Sequence, residues 1–312
     1  MQMRPYGSSG LRVPVLGFGA MQIGDPALDE THAERLLHHV LDAGLTLIDT
    51  ARGYGLAEVR IGRALARRRD EFVLSTKVGY GIPGVPDWTY DCVIAGVDAA
   101  RERLRTDVID IVHLHSCGLE TLATGEVTRA LTRCRDQGKL KVAAYSGDGE
   151  ALRYAVTLSS GTSPGPAGAV ARSAGDGLTF QGLQASVNLC DQQSLPVIEA
   201  ARARGVGTLA KRSLAGRPWQ GASTGDPVHD EYRRRFETLR WEWSVAAADW
   251  DAVALRFAAF APGVDCVIVG GTDTRHVDRN AAAVTRGPLD PVLLSAISGS
   301  FASHGSGWEG LV

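Results

Sequence analysis

Four residues of complementary acid-base character, Asp49, Tyr54, Lys77 and His115, each fall at the end of an apolar run or just beyond one. The runs are LTLIDTARGYG (45–55), FVLSTKVGY (72–80) and VIDIVHLHSC (108–117). Laid side by side as parallel strands, they bring a carboxylate, a phenol, an ammonium and an imidazole to one rim. Such a set can give a proton to an oxygen or take one away. Each residue also has a plain structural alternative: a helix cap for Asp49, a packed loop ring for Tyr54, a solvated strand terminus for Lys77 and a core histidine for His115. Their occurrence together at the ends of three successive strands favours chemistry over four coincidences. His113 and His115 form an HxH pair on one strand face, a pattern that also binds zinc in barrel hydrolases. None of the other histidines sits at the end of strands five to seven, where further ligands would be needed: His32, His38 and His39 fall on the first helix and His229 in a long loop, so a metal site is not expected.

The elements that must position these groups alternate along the chain. Strand candidates are VLGFG (15–19), LTLID, FVLSTK, VIDIVHLH, LKVAAYS (140–146), GLQASVN (182–188), VGTLAK (206–211) and DCVIVG (265–270). Between them run amphipathic stretches such as THAERLLHHVLDAG, AEVRIGRALARRR, TYDCVIAGVDAARERLR, EVTRALTRCRDQG and LPVIEAARARG, several closing on Gly as a C-cap would. Eight such units predict an α/β fold, a single (β/α)8 TIM barrel over residues 1–312, with active groups at the C-terminal strand ends. A doubly wound open sheet is the main rival, but no GxGxxG follows the first strand. RPYGSSGLRVPVL reads as an N-terminal β-hairpin turning at Ser8, Ser9 and Gly10, a lid on the barrel bottom.

Composition narrows the partners. With 312 residues, 44% hydrophobic and 22% charged, the chain can bury a large core. Its formal charge of -2 and the lack of a long basic run argue against nucleic acid, RALARRRDE reading as an exposed helix end. Every long apolar stretch is broken by charge and the N-terminus has no signal-peptide run, so no membrane partner and a cytoplasmic location are expected. The five cysteines, odd in number and without CxxC spacing, read as free thiols. Residues 159–177, rich in Gly, Ser, Pro and Ala, predict a mobile surface loop, and 215–247, with Trp219, Trp241 and Trp243, a long excursion covering the barrel mouth. The composition leaves oligomeric state open.

LIDTARGYGLAEVRIGRAL, FVLSTKVGY, VIDIVHLHS, GLQASVN, LAKRSLAG and VIVGGTDTRHVDRN resemble, in order and spacing, the successive signatures of the aldo-keto reductases. The resemblance spans nearly the whole chain. It implies NAD(P)H-dependent interconversion of a carbonyl and an alcohol, with Asp49, Tyr54, Lys77 and His115 as a catalytic tetrad. A phenol is too weak an acid to act alone at neutral pH, and an adjacent ammonium favours the phenolate. Lys77 is the expected ammonium, Asp49 its anchor, His115 the group that orients the carbonyl oxygen, and Tyr54 the general acid and base.

Cofactor contacts follow from the same resemblance. Gly19, Met21 and Asp49 are expected to contact the cofactor, and Ser146 and Gln184 match the residues that bind the carboxamide. Gly147 replaces the Asn that commonly follows that serine, with Asp148 available to compensate. Lys211, Arg212, Ser213 and Leu214 occupy the stretch where many members stack an aromatic on the nicotinamide; here Arg212 is the planar group and Lys211 a reach to phosphate. Gly270, Gly271, Thr272, Arg275, His276 and Asn280 resemble the grip on the adenosine end. NADP-specific members often carry Lys-Ser where this chain has Gly270 and Gly271, and Arg where it has His276. Arg275 supplies a cation and Asp273 opposes a 2′-phosphate, and NADP(H) is expected over NAD(H). Trp88 and Trp219, with Tyr54, His115 and loops near Met21, Cys117 and the tail FASHGSGWEG, are the expected walls for a small carbonyl or alcohol substrate. The alternative from another class is a catalytically slow nicotinamide-binding module that senses redox state or docks a partner.

Overall fold

The computed structural model describes residues 1–159, 180–221, 223, 225–239 and 250–311. The loop expected at 159–177 falls, beyond residue 159, outside these, as do Trp241 and Trp243. A hairpin of β1 (Met3–Pro5) and β2 (Arg12–Pro14) precedes eight parallel strands that close on themselves: β3 (Leu16–Gly19), β4 (Leu47–Asp49), β5 (Val73–Val78), β6 (Ile109–His115), β7 (Leu140–Ser146), β8 (Gly182–Ser186), β9 (Gly207–Lys211) and β10 (Cys266–Gly270). β10 pairs with β3, so the sheet has no edge and the open doubly wound arrangement is excluded.

The strands are short continuous apolar runs because both faces are covered. One face packs under the helices. The other points inward, where Leu47, Ile111, Val142, Leu209 and Ile268 fill the lower barrel. The hairpin closes that end: Tyr6 and Val13 join the same cluster, and the Tyr6 ring rests on Gly207, where any side chain would collide with it. Above this apolar floor the inward positions turn polar, with Asp49, Ser75, Lys77, His113 and Gln184 all buried. That change in polarity from floor to rim is the fold's main contribution to chemistry.

Helices α1 (Glu30–Asp42), α2 (Ala57–Leu65), α3 (Tyr90–Leu104), α4 (Leu119–Thr124), α5 (Glu126–Asp136), α6 (Gly149–Leu158), α7 (Leu195–Ala203), α8 (Pro227–Thr238), α9 (Trp250–Ala259), α10 (Thr274–Thr285) and α11 (Pro291–His304) surround the barrel. α1 shows the local logic. The Asp29 side chain accepts from the His32 amide as N-cap, and Ala33, Leu36, Leu37, Val40 and Leu41 form one buried stripe at three- and four-residue spacing. Each fully buried leucine on it contributes about 1.5–3 kcal/mol of apolar transfer. The excursion after β9 differs from the expected plain loop, because it contains α8. Asp226 caps that helix through the Val228 and His229 amides, and Pro227 stands at its first turn. His229 accordingly lies on a helix. No described helix is long and apolar enough to cross a membrane.

Candidate active site

Strand register sets the rim. Asp49 pairs across to Ser75, Lys77 to His113, His115 to Ser146, and Ser146 to Gln184, so four neighbouring strand junctions present polar side chains at one level. Lys77 Nζ donates to Asp49 Oδ2 at 2.6 Å and to the Thr50 carbonyl at 2.8 Å. The same ammonium lies 5.0 Å from the centroid of the Tyr54 ring. Tyr54, carried on the loop after β4, meets the His115 ring edge-on with centroids 5.9 Å apart. The four residues singled out in the sequence therefore converge.

Asp49 is held from every side. Its Oδ1 accepts from Ser75 Oγ at 2.7 Å and from Gln184 Nε2 at 3.0 Å, while Gln184 Oε1 accepts from Ser146 Oγ at 2.9 Å. Ser75 also meets His113 Nε2 at 3.1 Å. Burial alone would raise the Asp49 carboxyl and lower the Lys77 ammonium, but their mutual attraction outweighs it in both cases. Asp49 thus sits below the usual carboxylate range, and Lys77 above its ordinary value with Tyr54 adding to the effect. Burial and the Lys77 charge push His115 down to about 3, and burial pushes His113 down to about 4. Both imidazoles are neutral, and His115 can act only as a neutral hydrogen-bonding group near pH 7.

A cavity of about 850 Å³ opens above this cluster. It is lined by Asp49, Tyr54, Lys77 and His115, and also by Gly19, Met21, Ser146, Gln184, Lys211, Arg212, Ser213, Leu214, Gly270, Gly271, Thr272 and His276 from the expected cofactor set. The remaining members of that set lie elsewhere. Gly147 faces the Tyr145 hydroxyl, Asn280 is buried beneath α10 beside Val277, and the exposed Arg275 guanidinium is paired with Asp273 at 2.6 Å. Asp148 is turned inward: it accepts from the Ser186 amide and hydroxyl and pairs with Lys211 at 2.8 Å, which anchors Lys211 at the rim. Arg212, in the left-handed region at φ 56, donates to the Leu311 carbonyl of the C-terminal segment. Of the expected walls, Trp88 packs on Tyr80, Trp219 stacks on Trp250 and donates to Asp251, and Cys117 is buried; none of the three lines the cavity.

The Aldo/keto reductase family model matches residues 15–299. The chain belongs to this family. Among curated relatives it is similar to an L-galactose dehydrogenase of Arabidopsis thaliana, 25% identical over 91% of this chain and 88% of that protein. It is also 28% identical, over 95% of both chains, to a protein of the same plant named "Probable voltage-gated potassium channel subunit beta". Its fold matches that of an aldo-keto reductase from Bacillus halodurans in its holo form, with a TM-score of 0.76 over 96% of each chain at 24% identity.

Several residues of this aldo/keto reductase site escaped the sequence reading. Ser75, two positions before Lys77, was legible as a polar inward residue in an apolar strand. Tyr80, at the end of the run 72–80, lies against His115 with its hydroxyl 3.0 Å from Nδ1. Asp226, His229 and Tyr232 reach the cavity from α8 and the residue before it, and no spacing signal announced them. Among the described residues, no group of three or more His, Cys, Asp or Glu side chains is disposed to hold a metal ion.

Proposed function

We propose that this aldo/keto reductase interconverts an aldehyde or ketone and its alcohol with a nicotinamide dinucleotide, with Tyr54 as general acid and base. The observation that carries this reading is the Lys77 ammonium, fixed 2.6 Å from Asp49 and 5.0 Å from the centre of the Tyr54 ring. The residues present fit the cofactor. Ser146 and Gln184 offer donors and acceptors suited to a carboxamide, and Gly271, around which a methyl group would meet nothing within 4 Å, opens the floor at the start of α10. When bound, the reduced nicotinamide supplies the hydride.

The chain's own residues do the rest. As negative charge grows on the carbonyl oxygen, Tyr54 gives it a proton, and the neighbouring Lys77 ammonium attracts the negative charge left behind. Asp49, held by Ser75 and Gln184, fixes the ammonium in place. Neutral His115 donates to the same carbonyl oxygen and sets its angle. In the oxidative direction the phenolate takes the proton of the alcohol. The likeness to an L-galactose dehydrogenase, together with Asp226, His229 and Ser116 on the cavity wall, favours a polyhydroxylated substrate such as a sugar. NADP(H) is the proposed cofactor over NAD(H): the Arg275–Asp273 pair is exposed, so it costs little to exchange for a 2′-phosphate.

A second reading, a nicotinamide-binding module acting through a partner, is favoured by the likeness to the potassium channel subunit. One experiment separates them. Purified protein is titrated with NADPH and NADH, then mixed with sugars, aromatic aldehydes and ketones while nicotinamide absorbance is followed. The proposal expects NADPH to bind at least about tenfold tighter, a difference of about 1.4 kcal/mol, and at least one carbonyl class to be turned over repeatedly. Tight binding without turnover of any class supports the second reading.

A further inference from the structure

Tyr80 does not belong to the four-residue cluster, yet its placement is over-determined. Gly79, at φ +132, lets the Trp88 ring lie against its Cα; a Cβ there would come 2.1 Å from that ring. The Trp88 amide donates to the Gly79 carbonyl at 2.7 Å, and Trp88 itself is held at φ 61, in the left-handed region. Asp87 accepts from the Gly81 amide, and Arg52 donates to the Gly81 carbonyl, which ties this turn to the loop bearing Tyr54. Tyr80 is thereby clamped, with Trp88 on one side at a centroid distance of 5.7 Å and His115 stacked on the other at 5.5 Å. Its hydroxyl lies against Gly53, where a methyl group would approach it to 2.6 Å, and 3.0 Å from His115 Nδ1.

The direction of that last hydrogen bond decides the state of His115. Burial pushes the Tyr80 phenol up, so it keeps its proton, and among the described residues its hydroxyl has no hydrogen-bond partner other than His115. A phenol donates well and accepts poorly, whereas the bare nitrogen of a neutral imidazole is a strong acceptor. The O–H therefore points at Nδ1, and the single imidazole proton must reside on Nε2. Nε2 has no protein partner among the described residues, and His115 lines the cavity.

We infer that Tyr80 is a positioning residue that locks His115 in the tautomer bearing its proton on Nε2, so that the imidazole presents a donor, and never a lone pair, to the substrate oxygen. The inference rests on the carbonyl reading of the same site for its kinetic consequence, but not for the tautomer itself. Without Tyr80 either nitrogen can carry the proton, and molecules with a bare Nε2 would repel a developing oxyanion.

The test is the ¹⁵N spectrum of histidine-labelled protein near neutral pH, with His115 assigned by comparison with His115→Asn. The wild type is expected to show a protonated Nε2 and a bare Nδ1 at His115. Tyr80→Phe, which keeps the ring between Trp88 and His115, is expected to move His115 to a mixture of tautomers. It should lower kcat/KM for a carbonyl substrate about tenfold with cofactor affinity unchanged, and in a His115→Asn background it should have no further effect. A wild-type His115 protonated on Nδ1, or a Tyr80→Phe spectrum identical to wild type, overturns the inference. The wild-type spectrum alone decides the tautomer if the variant does not fold. Failure of the carbonyl reading would show instead as a wild type without turnover, whatever the tautomer.

Discussion

At the scale of single residues, the Lys77–Asp49 pair does two jobs with different energetics. Both side chains are at most 2% exposed, so neither has water to fall back on. Removing one partner leaves a buried charge uncompensated, which costs about 3–5 kcal/mol. Lys77→Met is therefore expected to lower thermal stability sharply as well as to abolish turnover, and adding Asp49→Asn should restore much of the stability and none of the activity. Chemical denaturation of the two single variants and the double variant checks this: additive losses would contradict the coupling. Asp49, Lys77 and His115 were legible because ionisable groups ending apolar runs conflict with local propensity, and such conflicts mark sites; Tyr54, on a loop, was legible only in their company. Tyr80 was not legible, because an aromatic two residues beyond a strand is ordinary packing until its neighbour across the barrel is known. His113 and His115, two positions apart, read alike in sequence; only the structure turns one toward Ser75 and the other toward the cavity.

At the scale of elements, the Tyr54 loop is placed by the segment after β3. The Leu56 amide donates to the Gly24 carbonyl at 2.9 Å, and a Cβ on Gly24 would fall 1.8 Å from the Tyr54 carbonyl oxygen, a backbone atom that cannot swing away. Gly24→Ala should displace the loop, lower kcat/KM more than tenfold and cost about 1–3 kcal/mol as overpacking. Gly118→Ala, where the added methyl meets open space, is the control and should leave both unchanged. Equal behaviour of the two variants would show that the close approach does not set the Tyr54 position. All eight barrel strands were readable from short, largely apolar runs, and α1, α5 and α7 stop just before Gly44, Gly138 and Gly205 as C-caps suggest. α8 was missed because its apolar stripe is thin: Arg233, Arg234 and Arg235 follow one another, and Arg235 is buried by its bonds to Glu231 and the Glu309 carbonyl rather than by apolar character.

At the scale of the whole molecule, the neutral histidines in the barrel tie stability to pH. In the unfolded chain each imidazole takes up a proton below about pH 6.5, whereas folded His113 and His115 stay neutral down to about 4 and about 3. Across that window the unfolded chain binds more protons, so stability falls as pH drops. Asp49, held low by Lys77 in spite of its burial, adds to the loss at still lower pH. Asp191, raised to about 6 by burial, works the other way between its folded and unfolded values and offsets part of it. Thermal midpoints should be level near pH 7 and decline from pH 6.5 toward 4.5, and His113→Gln should flatten the decline. A midpoint that rises on acidification would contradict the buried neutral state. None of this was readable from the chain alone, since it depends on which inward positions the closed barrel seals from water.

The central claim, that the Tyr54 hydroxyl delivers the proton once the Lys77 ammonium stands beside it, is tested most directly by Tyr54→Phe. Turnover of a carbonyl substrate and affinity for the reduced nicotinamide are measured on the same preparation. The expected result is a fall in kcat of about a hundredfold or more with cofactor affinity nearly unchanged; a variant turning over at the wild-type rate would contradict it.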